Sequence, residues 1–179
     1  MMNDILHTQA TAELLYSEAQ VEAALDAMAV TINQQLANTN PLVLCVLNGG
    51  IITAGKLLTR LTMPLTIDSI NASRYQNQTS GGTIEWLLKP KQALQNRLVL
   101  IIDDVLDEGI TLAAIKAYCY EQGASKVVSA VLIEKLLAHD KPSHADFIGL
   151  TVPNRYIFGY GMDYKGYLRN APGIFACNE

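Results

Sequence analysis

From residue 18 onward, apolar side chains recur at three- and four-residue steps: Val21, Leu25, Met28, Ile32 and Leu36. That period puts them on one face of a helix, and Ser17 followed by Gln20 has the spacing of a capping box at its start. The helix is expected to run to about Leu36, where the polar segment Asn-Thr-Asn-Pro ends it. Residues 42–47 then form an unbroken apolar run between Pro41 and Asn48-Gly49-Gly50, the pattern of a strand buried on both faces. A second helix is expected from near Gly50, carrying Ile51, Leu57 and Leu58 inward. Residues 69–75 read as a strand, 76–83 (QNQTSGGT) as a polar loop or hairpin tip, and 85–88 as the returning strand. The strongest strand is 97–103, where LVLII runs into two aspartates. Residues 111–122 read as a helix that ends at Gly123, placed as a C′ glycine. Further strands are expected at 126–133 and 147–150, with 156–158 as the last. Such alternation predicts an α/β fold: a central, mainly parallel sheet flanked by helices. The chain shows no internal repeat, linker or low-complexity tail, so one domain is expected.

Composition changes this picture little. The 179 residues are 50% apolar and 17% charged, an ordinary globular balance. A net charge of −4 offers no basic surplus for nucleic acid or membrane surfaces, so neither is expected as a partner. The three cysteines, Cys45, Cys119 and Cys177, are far apart and form no CxxC pair, which suggests neither a disulfide framework nor a zinc site. The N-terminal segment lacks the basic and apolar blocks of a signal peptide, and no apolar run approaches the roughly 20 residues of a membrane span. A cytoplasmic protein is the expectation.

Candidate chemistry concentrates in residues 99–112, VLIIDDVLDEGITL. An apolar strand is expected to end in Asp103 and Asp104, turn through Asp107, Glu108 and Gly109, and enter a helix near Thr111. Ligands of open α/β sheets bind at the carboxyl ends of strands, where a following helix offers unpaired N–H groups. A glycine there lets the backbone curl around a phosphate, and Thr111 can donate its hydroxyl. Carboxylates beside a phosphate repel it unless they serve other partners. Ribose hydroxyls donate to carboxylates, and a magnesium ion would offset the charge. A sugar phosphate satisfies both halves of the motif. Asp and Thr are also favoured near helix starts for purely structural reasons.

The same segment resembles the signature of the type I phosphoribosyltransferases, which bind 5-phosphoribosyl pyrophosphate (PRPP): a hydrophobic run, two acids, two hydrophobics, then Asp-Thr-Gly-x-Thr. Glu108 stands where the signature has its first Thr, and Thr111 matches the second. The resemblance implies that Asp107, Glu108, Gly109, Ile110 and Thr111 hold the 5-phosphate while Asp103 and Asp104 address the ribose. LCVLNGG (residues 44–50) is similar to the family's pyrophosphate loop, which implies a pyrophosphate role for Leu47, Asn48 and Gly49 and a cis peptide between Leu47 and Asn48. Purine enzymes often carry Lys at the position of Asn48. Residues 73–86 look like the mobile lid of the 6-oxopurine enzymes, with Ser73, Arg74 and Tyr75 at its start. VLIEKL, with Lys135 just after a strand, and PNRYIFGYGMDYKGYLRN (residues 153–170) resemble the purine-binding hood of the hypoxanthine-guanine phosphoribosyltransferases.

These matches imply Lys135 bonding the purine O6, Tyr156 stacking on the base and the Ile157 backbone reading the purine edge. They also imply Asp163 joining Asp103 and Asp104 around Mg2+, Arg169 on pyrophosphate, and Asp107 as the catalytic group near purine N7. The implied architecture is a core of about 38–150 and a hood of about 151–179 with an N-terminal contribution, assembled as a homodimer or homotetramer. The implied reaction joins a 6-oxopurine, hypoxanthine or guanine, to PRPP in purine salvage. Xanthine or another base remains an alternative, as does an RNA-binding regulator built on the same fold, although that role would favour a basic face. Neither GxGxxG nor GxxxxGK[ST] follows an early strand, which argues against an ATP or flavin binder of the doubly wound type. His7, His139 and His144 match no catalytic position.

Overall fold

A computed structural model describes residues 1–74 and 84–178. Helix α1 (Met2–Thr11) and strand β1 (Glu13–Ser17) precede helix α2 (Glu18–Leu36). Strand β2 (Leu42–Val46), helix α3 (Gly50–Leu58), and strands β3 (Thr66–Arg74) and β4 (Ile84–Leu88) follow. Strand β5 (Leu98–Leu106), helix α4 (Ile110–Glu121), and strands β6 (Lys126–Leu136) and β7 (Phe147–Pro153) complete the central layer. The chain ends with the short strands β8 (Ile157–Phe158) and β9 (Gly173–Ala176).

Among the described residues, the main sheet has six strands in the order β4-β3-β2-β5-β6-β7. Every neighbouring pair is parallel except β3 with β4, which returns antiparallel as its sequence position implies. Alternation along β2 and β5 divides the core in two. Val43, Cys45, Leu100 and Ile102 face α2 and α3, whereas Leu42, Leu44, Val99 and Ile101 face α4. Both faces of these strands are therefore covered, which is why their sequence is continuously apolar rather than alternating. The α-helical starts and stops follow local chemistry. Ser17 Oγ accepts from Gln20 N at 3.4 Å while Gln20 Oε1 accepts from Ser17 N at 2.9 Å, the reciprocal bonds of a capping box. Gly123, at φ 84°, follows α4 and donates to Tyr120 O, while Ala124 N reaches Cys119 O, closing the helix in a Schellman pattern.

Several expectations are corrected. Ile51 points outward at 51% exposure: α3 buries Gly50, Thr53, Ala54 and Leu57, and Ile51 lies off that stripe. Strand β5 continues three residues beyond Asp103 because Val105 and Leu106 still pair with Ile133 and Glu134 of β6. Lys135 lies within β6 rather than after it, paired with Val152 of β7. Residues 156–158 do not form the last strand. β9 follows and joins β1 and β8 in a second, antiparallel sheet, β1-β9-β8. Over this sheet Ile5 of α1 packs with Phe158, Leu168 and Ala171. The expected tip at 76–83 and Tyr75 lie outside the described residues. Among those described, no helix is long and apolar enough to cross a membrane.

One polar cluster ties the small sheet's outlying turn to the main body. Glu22 of α2 accepts from Lys56 Nζ at 2.5 Å and Arg60 Nη2 at 2.6 Å, and from the Tyr160 hydroxyl at 2.7 Å. The Lys56 and Tyr160 bonds hold its carboxyl at about 2, below its usual 4.5. A depressed carboxyl contributes stability that is complete above its unfolded value and is lost as pH falls through its folded value. Glu22→Gln should therefore cost about 1–2 kcal/mol near neutrality and flatten the loss of stability between about pH 5 and about pH 2. Urea unfolding midpoints of both proteins across that range check this.

Candidate active site

Parallel strands deliver their carboxyl ends to one edge of the sheet, so the segments after β2, β5 and β6 converge. They border a cleft of about 400 Å³ lined by Asn48 and Gly49 on one side, Asp103 and Asp104 at its floor, and residues 107–111 on the other. Leu47, Asp163 and Arg169 complete its rim. A second compartment of about 200 Å³ is lined by Lys135, Tyr156, Ile157 and Met162. The two share Asp104, Val105, Asp107 and Asp163 as a common wall.

The cradle at residues 107–111 is built by backbone geometry. Gly109 is left-handed at φ 77° and sits at the N-terminus of α4, where helix N–H groups lack intrahelical partners. Across the cleft, the Leu47-Asn48 peptide is cis. A Cβ on Gly49 would lie 2.1 Å from Asp104 Oδ2, and one on Gly161 (φ 108°) would lie 2.0 Å from Gly49 O. Only glycines let these three segments close on one another.

The two acids at the floor are electrostatically loaded. Burial raises the Asp103 carboxyl well above the usual carboxylate range, and the neighbouring Asp104 charge adds to this. Burial also raises Asp104, opposed by hydrogen bonds from Asp103 and the Val105 N–H and by the Arg169 charge. Asp104 N donates to Asp103 Oδ1 at 2.9 Å and Val105 N to Asp104 Oδ1 at 2.7 Å. Buried neighbouring carboxylates of this kind suit a hard divalent cation. Among the described residues no three metal-binding side chains converge, so Asp103, Asp104 and Asp163 do not form a closed cage. Asp163 is otherwise engaged: Oδ1 pairs with Arg169 Nη2 at 2.7 Å and Oδ2 accepts from Gly166 N at 2.7 Å. The donor set fits Mg2+, which usually takes one or two carboxylates and fills its shell with substrate and water oxygens.

In the second compartment, Lys135 Nζ bonds Asp107 Oδ2 at 2.7 Å and is 13% exposed, so an ammonium and a carboxylate face the same small space. The Tyr156 ring stands open at 55% exposure, edge-on to Tyr164 at 5.7 Å. Ile157 is fixed by its pairing with Ala176 of β9. Arg169 also donates from Nη1 to Gly161 O at 2.5 Å.

The fold thus gathers all the residues singled out from sequence except those of the lid. Ser73, near the end of β3, lines neither compartment, although Ala72 does; the Arg74 side chain and Tyr75 lie outside the described residues. Sequence reasoning missed Val105 and Met162, which wall the second compartment, and Lys141. The Lys141 ammonium, 5% exposed on its side chain, holds Leu106 O at 3.2 Å and Lys135 O at 2.6 Å. The glycines at 159 and 161 carried the one visible signal for the Met162 turn.

The family model of the phosphoribosyl transferase domain matches residues 12–165. The chain belongs to that family. It is 30% identical over 173 residues to the bifunctional protein TilS/HprT of Listeria innocua, with 96% of this chain covered. The chain spans about a quarter (26%) of the length of that relative. It is 28% identical to the hypoxanthine-guanine phosphoribosyltransferase of Bacillus subtilis over 163 residues, 90% of this chain and 91% of that protein. The fold matches a crystal structure of a hypoxanthine phosphoribosyltransferase from Staphylococcus aureus with a TM-score of 0.89 at 23% identity, covering 99% of this chain and 97% of the other.

The glycine contacts are directly testable. Gly49→Ala forces a methyl into the Asp104 carboxylate and should destabilise by about 1–3 kcal/mol. Gly55→Ala, whose Cβ would meet nothing within 4 Å in the middle of α3, should be neutral or stabilising by up to about 1 kcal/mol. Thermal unfolding of the two variants side by side checks the contrast; equal effects would contradict the close approach.

Proposed function

We propose that this chain transfers the 5-phosphoribosyl group of PRPP to N9 of a 6-oxopurine, hypoxanthine or guanine, releasing pyrophosphate in purine salvage. The observation that carries this reading is the two-compartment cleft: a backbone phosphate cradle and a lysine- and tyrosine-lined pocket share Asp107 in their common wall. A sugar phosphate and a flat heterocycle held on the two sides would meet at that wall.

In this reading the amides of residues 107–111 take the 5-phosphate, and Asp103 and Asp104 take the ribose hydroxyls. The Tyr156 ring supplies a stacking face. The Lys135 ammonium donates to O6, a match to an oxo group rather than to an amino group. The Ile157 backbone, held by β9, reads the purine edge. As N9 forms its bond to C1 of the ribose, the C1–oxygen bond to pyrophosphate breaks and Asp107 accepts or relays the proton at N7. Positive charge on the sugar and negative charge on the leaving group develop together. Arg169 and the amides around Asn48 and Gly49 face the leaving side. Mg2+, held by Asp103 and Asp104 with Asp163 nearby, would supply further charge neutralisation of the pyrophosphate. Asn48 contributes no charge of its own there, which leaves Arg169 the cationic side chain that lines the cleft among the described residues.

The same reading takes the whole chain as one domain, with a core of about 38–150 and a hood of about 151–179 that recruits β1. Antiparallel pairing of β1 with β9 and the packing of Ile5 beneath the hood support it. It also takes the protein as a cytoplasmic homo-oligomer. Three free cysteines suit a reducing compartment, and exposed Leu87 and Ile148 on the edge strands β4 and β7 offer apolar contact area.

Steady-state transfer from PRPP, with hypoxanthine, guanine and xanthine in competition, tests the reading; no transfer to any of the three would overturn it. Asp107→Asn should leave PRPP binding largely intact while lowering turnover by about 100-fold or more. An unchanged turnover number would remove Asp107 from proton transfer. Lys135→Ala should raise KM for 6-oxopurines by about tenfold or more with a smaller effect on PRPP. Equal effects on both substrates would contradict the O6 contact.

A further inference from the structure

Glu108 is an anomaly within the phosphate cradle. Glu108 lines the compartment together with Asp107 and Gly109, and a carboxylate beside their amides would repel the very dianion that those amides attract. The side chain does not stand free. Glu108 Oε2 accepts from His139 Nε2 at 3.0 Å, across to the segment that joins β6 to β7. That segment is fastened behind the cradle. Lys141 anchors it to the carbonyls of Leu106 and Lys135, and a Cβ on Gly109 would lie 2.9 Å from Ser143 O and 3.2 Å from Lys141 Cβ. His139 itself lines a separate small hollow of about 160 Å³ with Leu136, Leu137 and Asp140 and is not among the residues that line the phosphate compartment.

We propose that His139 is a positioning residue that draws the Glu108 carboxylate out of the phosphate cradle and so sets the affinity for the sugar phosphate. The inference rests on the reading of residues 107–111 as the 5-phosphate site. The imidazole Nε2–H donates to a carboxylate that can only accept, which fixes the tautomer while the pair holds. With the bond in place, Glu108 leaves its backbone amide in the cradle while its carboxylate is held on His139. Without it, a flexible carboxylate of three rotatable bonds sweeps the mouth of the site. Both partners are largely exposed, so water screens the repulsion and the effect is modest.

The sequence makes this chain its own control. His139→Ala should raise KM for PRPP by about three- to tenfold, with KM for hypoxanthine and kcat moving far less. His139→Gln, whose amide can still donate to the carboxylate, should recover part of the loss. In a Glu108→Gln background, where no charge remains to be held aside, His139→Ala should leave KM for PRPP unchanged. Those four measurements on the full chain, with hypoxanthine and Mg2+ present, decide the matter. If His139→Ala raises KM equally with and without the Glu108 charge, or raises both substrates' KM together, His139 acts structurally and the proposal falls. If the unaltered protein neither binds nor consumes PRPP, the phosphate reading itself has failed, and the proposal falls with it for a different reason.

Discussion

Two adjacent carboxylates sit near the carboxyl end of β5, where burial raises both, Asp103 well above the usual carboxylate range. Charges so placed are tolerated only if something offsets them, and the surrounding structure is arranged around that demand. Backbone N–H groups of Asp104 and Val105 bond them at 2.9 and 2.7 Å, and the Arg169 charge acts on Asp104 from the hood. The loop after β2 closes over Asp104 because residue 49 has no side chain, and the hood turn closes over that loop because residue 161 has none.

The hood depends on the same constraint from the other side. Arg169 is held by Asp163 and by the Gly161 carbonyl, so the guanidinium that acts on Asp104 is also the brace of the turn it belongs to. Glu22, Lys56, Arg60 and Tyr160 form a second attachment between that turn and the helices α2 and α3. The compartment lined by Tyr156 and Lys135 thus takes one wall from the main sheet, through Lys135 of β6, and one from the small sheet, through Ile157 of β8. Its dimensions follow from how those sheets meet rather than from any one loop.

Legibility in the sequence followed burial. Strands covered on both faces, β2 and β5 above all, announce themselves as unbroken apolar runs, and α2 carries both its period and its capping box. Strands β1 and β9 leave little local signal because each has five residues or fewer, and their pairing joins opposite ends of the chain. The buried face of α3 is not legible at Ile51, because a nine-residue helix gives too few turns to define its stripe. The end of β6 is hidden for a related reason: the polar residues Glu134 and Lys135 mask a ladder that pairing with β7 sustains.

The sequence by itself determined the alternating α/β order, the acidic pair before a glycine turn, and the residue types available to a sugar phosphate and a planar base, because these depend on neighbours within a few positions. Tertiary structure decided which of them meet. The Lys135–Asp107 bond spans 28 positions, and the Glu108–His139 contact spans 31. The fit of Gly161 against Gly49 joins segments that no local pattern connects. Such meetings are set by how parallel strands align their carboxyl ends and by where a Cβ is absent, and neither is a property of any short stretch of chain.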